Sequence, residues 1–187
     1  MRKIISLFKR DYEGTRQVYD EVVPGAEWVL AGEGVPTRKF DGTCCLFAGG
    51  KMFKRYELKH GKKAPDGFLP AQEPDEITGD IPGWLPVGVD DKWHNEGYWN
   101  YRLGPGEPAD GTYELCGPKV QSNPEKYEVH TLVRHGLEKI DGNPRTFNEI
   151  KEYLASHDIE GIVWHHPDGR MVKIKGRDFG IKRGGSE

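Results

Sequence analysis

The chain has 187 residues, with 27 Lys and Arg against 30 Asp and Glu and a formal charge of −3. It is long enough to bury a sizeable core, and its charge balance excludes a coat of nonspecific basic surface, so any nucleic-acid contact must come from a local patch. No apolar run approaches the roughly 18 residues of a membrane span, and the opening MRKIISLFKR is too short and too soon charged for a signal peptide; a cytosolic protein without membrane association is expected.

Pro36 precedes Lys39, which stands two positions ahead of Asp41-Gly42. Asp-Gly is a turn signal, so Lys39 is either a solvated charge beside a hairpin or an amine presented by a sharp turn. Thr43 to Phe47 and Met52 to Leu58 flank Gly49-Gly50 and predict a β-hairpin. From about residue 62 to 110 the chain is rich in Pro, Gly and acids, with Trp84, Trp93, Tyr98, Trp99 and Tyr101 scattered and no sustained period. This stretch reads as a long structured excursion, either covering the core with its own aromatic cluster or acting as a lid or substrate platform. Thr146 and Glu149 form a capping-box pattern that opens a helix through about Ser156. Ile159 to His166 and Met171 to Lys175, joined at Asp168-Gly169, predict a second hairpin. The fold class is therefore α+β with mainly antiparallel sheets and short helices.

On a two-residue loop the second hairpin sets Ile162 against Lys175, Trp164 against Lys173 and Glu160 against Arg177, all on one face. A carboxylate and two lysines so held are either a cross-strand ion pair or a group that binds an anion. The stretch from Arg170 to Arg183 contains Lys173, Lys175, Arg177 and Lys182 as well, against only Asp178, and is either a solvated strand edge or an anion track. Cys44, Cys45 and Cys116 lack C-x-x-C spacing and read as reduced core thiols rather than a disulfide framework or a zinc site. His165 and His166, adjacent on a strand, point to opposite faces and do not share an ion.

KFDG at Lys39 to Gly42, YELCGP with Glu114, EGIV at Glu160 to Val163 and KIK at Lys173 to Lys175 resemble, in order, motifs I, III, IV and V of the covalent nucleotidyltransferases. That superfamily holds the ATP-dependent DNA and RNA ligases and the capping enzymes. PTRKFDGTCC, DIPGWLPV, TYELCGPKVQSNP and IEGIVWHHPDGRMVKIKGRDFGI are similar to the small vertebrate-type 5′-phosphate/3′-hydroxyl RNA ligases, and the likeness runs from about Pro36 to Ile181. The resemblance implies a nucleotidyltransferase (ligase adenylation) fold, ATP, Mg²⁺ or Mn²⁺, and joining of RNA 5′-phosphate and 3′-hydroxyl ends, as in RNA repair.

Carried residue by residue, the resemblance makes Lys39 the nucleophile that becomes AMP-lysine, with Lys173 and Lys175 lowering its pKa and holding the α-phosphate. Asp41 and Gly42 shape the turn, and Arg55 binds phosphate or ribose. Glu114 contacts ribose or a hydrated metal, Glu160 positions the metal, and Ile162 with the segment His130 to His135, His135 above all, lines the adenine slot. RNA would follow Arg170, Arg177, Lys182 and Arg183. Arg38, a further expected ATP contact, stands where many ligases carry an acid. Cys44 replaces an arginine common after the lysine motif in DNA ligases and capping enzymes. Only about a dozen residues follow Lys175, so residues 1–187 are expected to be one minimal nucleotidyltransferase domain without an oligonucleotide-binding domain. A DNA ligase, a capping-type guanylyltransferase and a non-catalytic RNA or nucleotide binder are the rival readings.

Overall fold

The computed structural model describes residues 3–183, so positions 1–2 and 184–187 of the expected domain lie outside it. In chain order the described elements are β1 (Ile5–Ser6), β2 (Phe8–Arg10), β3 (Val18–Val22), α1 (Glu27–Leu30), β4 (Val35–Lys39), β5 (Thr43–Ala48), β6 (Lys51–Leu58), β7 (Leu69–Pro70), β8 (Ile81–Pro86), α2 (Lys92–Leu103), β9 (Gly111–Cys116), β10 (Thr131–Arg134), α3 (Phe147–Ser156), β11 (Gly161–His165) and β12 (Met171–Lys175). Most strand pairs are antiparallel and the helices are short, as the α+β reading expected; β1 with β12 is parallel.

The elements divide between two compact units, one of residues 41–135 with residue 3 and one of residues 4–40 with 136–183. The first is built on a six-stranded sheet in the order β10-β9-β5-β6-β8-β7. Its centre is the predicted β5–β6 hairpin, turning on Gly49 and Gly50, both at positive φ (56° and 72°) as a primed two-residue turn requires. Strand alternation sends Cys45, Phe47, Tyr113, Leu115 and Leu132 to one face, where they form the core together with Val120. Trp93, Tyr98 and Tyr101 pack against that core, and all three belong to α2. The excursion around 62–110 thus contains β7, β8 and a three-turn helix that composition did not signal.

The second unit carries a four-stranded sheet, β1-β12-β11-β4, and the β2–β3 ribbon. Helix α3 starts at the predicted capping box: Thr146 Oγ1 accepts from Glu149 N at 3.3 Å and Glu149 Oε2 accepts from Thr146 N at 3.0 Å. Its Ile150 and Leu154 meet Ile162, Trp164, Val172 and Ile174 in a core with Leu7, Phe8, Trp28 and Val29. Each large apolar side chain fully buried here stabilises by about 1.5–3 kcal/mol.

The β11–β12 register differs from expectation by one residue. Gly161 faces Lys175, Ile162 faces Ile174, Val163 faces Lys173 and Trp164 faces Val172. The loop has three residues, Pro167, Asp168 and Gly169, closed by His166 N to Arg170 O at 2.9 Å and Gly169 N to His166 O at 3.0 Å, with Gly169 at φ 90°. Glu160 accordingly lies opposite Gly176, whose N–H it accepts at 2.9 Å, and not opposite Arg177. Since a one-residue slip exchanges faces, Ile162 and Trp164 go to the core and the lysines to the other side.

Candidate active site

In the second unit, β11 lies between β4 and β12, and the pairs Gly161–Lys39 and Gly161–Lys175 put the two lysines on either side of a glycine. Directly opposed residues share a face, so Lys39, Lys175 and Lys173 project together, the last opposite Val163. Gly161 cannot readily be replaced: a Cβ there would lie 2.1 Å from the Ile174 carbonyl oxygen. Glu160, just ahead of β11, accepts from Lys39 Nζ through Oε2 and pairs with Lys175 Nζ through Oε1 at 2.5 Å. The three side chains are only 20%, 16% and 11% exposed for Lys39, Lys175 and Glu160.

Burial raises the Glu160 carboxyl pKa, but the Lys39 charge and the hydrogen bonds from Lys175 and Lys39 outweigh it and hold the group below the ordinary glutamate value. Burial pushes the Lys173 ammonium the other way, below an ordinary lysine; Lys175 and Lys39 add to that, and Glu160 and Asp178 oppose it. Three lysines against one shared carboxylate make a face suited to a phosphate, whose charge relieves the crowding.

In the first unit a second group lies on the sheet face opposite the core. Cys44 stands directly across from Glu114, and the carbonyl of Thr112, two residues before Glu114, accepts from His135 N at 3.1 Å, extending the β9–β10 ladder. Glu114, 7% exposed, accepts from Gly42 N through Oε1 at 3.1 Å and meets His135 Nε2 through Oε2 at 2.8 Å. His135 Nδ1 lies 3.0 Å from Thr112 Oγ1. Arg55 occupies the same face by alternation from Phe53, its guanidinium 4.9 Å from the centre of the Trp84 ring. Asp41 N donates to Glu125 Oε1 at 2.8 Å, so the turn after Lys39 is anchored at both Asp41 and Gly42.

Other predicted residues go elsewhere. Ile162 is fully buried in the core, and Arg38 lies on its side of β4, paired with Glu138 at 3.1 Å and 4.5 Å from the Phe40 ring centre. Cys44 is half-buried, apart from the buried thiols Cys45 and Cys116. The predicted RNA-binding residues lie beyond the two ends of β12. Arg170 precedes β12 and pairs with Asp168 at 2.7 Å, whereas Arg177, Lys182 and Arg183 follow it, roughly 20 Å of extended strand away. Arg183 pairs with Asp158 at 3.3 Å; Arg177 and Lys182 are exposed.

Three contributors escaped prediction. Asp178, 5% exposed, accepts from Lys175 N at 3.0 Å and pairs with Arg10, fixing the strand end that carries Lys175. A lone acid within a basic run was the available signal. Thr112 and Glu125 gave none, being ordinary polar residues until pairing brings them to His135 and Asp41.

Glu160 in the second unit and, separately, Glu114 in the first offer hard carboxylate oxygens, and Mg²⁺ is commonly held by one or two carboxylates together with substrate phosphates, so each fits as a donor by itself. The family model described as RNA ligase 1 matches residues 106–186, which include Glu114, His135, Glu160, Lys173 and Lys175. The protein named RNA ligase 1 from Danio rerio is 29% identical over 220 aligned residues, covering 78% of this chain and 67% of that protein. Those of Rattus norvegicus and Pongo abelii are 27% and 26% identical, each covering 79% of this chain and 67% of the relative. Over residues 106–186 the chain is thus similar to the RNA ligase 1 family model, and at 26–29% identity to these relatives.

Proposed function

We propose that this protein is an ATP-dependent RNA ligase with a nucleotidyltransferase fold, sealing RNA 5′-phosphate and 3′-hydroxyl ends through a lysine-AMP intermediate. The observation that carries the proposal is the Lys39–Glu160–Lys175 group with Lys173 on the same sheet face. Lys39 Nζ attacks the α-phosphorus of ATP; the P–N bond forms, the P–O bond to pyrophosphate breaks, and the amine proton leaves along the hydrogen bond to Glu160. Lys175 and Lys173 stabilise the negative charge developing on the phosphate oxygens. AMP then passes to an RNA 5′-phosphate, and a 3′-hydroxyl displaces it to leave a phosphodiester. Each step depends on positioning and charge. Glu160 would hold Mg²⁺ when ATP is present, the ion neutralising phosphate charge. Glu114, His135 and Arg55, gathered on one sheet face, are the proposed contacts to ribose, base and phosphate.

Intact-mass measurement after incubation with ATP and Mg²⁺ tests this. One added AMP, mapped to Lys39 and absent from Lys39→Ala, is expected; the variant should still seal RNA that already carries a 5′-adenylate, since that step needs no amine. An adduct on Lys39→Ala, or a GMP adduct from GTP in place of AMP, would overturn the assignment.

A further inference from the structure

We propose that Cys44, Glu114 and His135 form a site for a thiolate-binding divalent metal, Zn²⁺ by its chemistry. The three ligand atoms, a cysteine Sγ, a carboxylate oxygen and an imidazole nitrogen, lie within 4.8 Å of one another on one sheet face. The sheet itself produces this: Cys44 and Glu114 are opposed in the β5–β9 ladder, and His135, across from Thr112, sits one step along the same face. Sulfur and imidazole donors select Zn²⁺ over Mg²⁺, which prefers oxygen and keeps its waters.

The surroundings are arranged as around a metal centre. Gly42 N–H holds Glu114 Oε1 at 3.1 Å, which turns Oε2 toward His135. Thr112 Oγ1, 3.0 Å from His135 Nδ1, accepts from it in the tautomer that leaves Nε2 as a ligand. On binding, the imidazole takes that tautomer, the ion enters where Nε2 and Oε2 now share a hydrogen bond of 2.8 Å, and the Cys44 thiol releases its proton. Three protein ligands leave one tetrahedral position for water or a ligand, the pattern of open rather than structural zinc sites. The site rests on the first unit alone and its metal binding is read without ATP or RNA; because Glu114 and His135 are also the proposed nucleotide contacts, Zn²⁺ and the nucleotide exclude one another there.

Cobalt titration of the intact protein tests the site. One Co²⁺ per chain should give a sulfur-to-cobalt charge-transfer band and intense tetrahedral visible bands, both bleached by Zn²⁺ and unaffected by excess Mg²⁺. Cys44→Ser should lose the charge-transfer band and Cys116→Ser keep it, while Thr112→Val should weaken Co²⁺ binding by about ten- to a hundred-fold. A measurement on the unaltered chain avoids reliance on variants: Zn²⁺ should protect Cys44 from iodoacetamide, read by peptide mass. Absence of a charge-transfer band, a band that survives Cys44→Ser, or alkylation of Cys44 at the same rate with and without Zn²⁺ would each refute the site.

Discussion

Glu160→Gln tests the charge that joins Lys39 and Lys175, because glutamine keeps the size and one acceptor oxygen while it removes the negative charge and replaces the second acceptor by an N–H donor. In the wild type both ammoniums share that carboxylate, with the three side chains 11–20% exposed. An exposed ion pair is worth about 0.2–1 kcal/mol, and removing one partner of a fully buried pair costs about 3–5 kcal/mol. This group lies between, so the variant should be less stable by about 1–3 kcal/mol at neutral pH. The sign of the pH dependence follows from the folded carboxyl pKa, which lies below its ordinary value of 4.5. A depressed carboxyl contributes stability that is complete above the unfolded pKa and is lost as pH falls through the folded one. The gap between wild type and variant should therefore be constant from about pH 8 to 5 and narrow below 4.5. Urea unfolding followed by far-ultraviolet circular dichroism, run on both proteins at neutral pH and near pH 3.5, measures it. Equal stability at neutral pH, or a gap that stays the same at about pH 3.5, would show that the Lys39–Glu160–Lys175 contact does not hold the structure together.

Lys173→Ala and Lys175→Ala should each slow AMP-adduct formation by about ten- to a thousand-fold in single-turnover assays, the loss expected when one preorganised charge is removed. Normal rates in both folded variants would leave the lysines as a solvated sheet face. The double variant Lys182→Ala with Arg183→Ala should weaken RNA binding and reduce its log–log salt slope by about one to two, with Lys182 contributing more because Arg183 is held by Asp158. An unchanged slope places the RNA elsewhere, for instance on the exposed Trp99 of α2, able to stack a base. Thr146→Ala should cost about 1 kcal/mol in thermal or urea unfolding through loss of the α3 cap, and no measurable change would mean that Glu149 alone suffices.

The parts of the fold legible in the sequence are those whose signal is local. The β5–β6 hairpin follows from alternation around Gly49-Gly50, and α3 from four residues that cap themselves. Helix α2 was not legible because its sequence argues against it: Asn95, Gly97 and Asn100 are weak helix formers. Gly97 is required by packing, since a Cβ there would meet Leu115 Cδ1 at 2.4 Å, so the residue that hides the helix also lets it approach the sheet. Strands β1 and β2, two and three residues long, are too short to show a period, and their places come from pairing with β12 and β3.

Within the candidate site, the residue types stood out in the sequence and their pairing did not. The proposed attack on phosphorus calls for an amine, neighbouring cations and a carboxylate, and those types stand out in KFDG, EGIV and KIK; the structure gathers Lys39, Glu160, Lys173 and Lys175 on one side of a sheet. Which residues oppose them depends on a loop one residue longer than Asp168-Gly169, and that single step moves Ile162 from beside Lys175 into the core. The same two-residue period separates Cys44 from Cys45. Adjacent strand positions face opposite ways, a rule that distinguishes His165, bonded to Thr37, from His166, bonded to Glu33. Applied to the two cysteines, it sends Cys45 into the core with Tyr113 and Leu115 and leaves Cys44 on the other face, opposite Glu114. The metal-ligating potential of Cys44 is therefore a consequence of strand parity and β5–β9 register, which no spacing of cysteines along the chain can express.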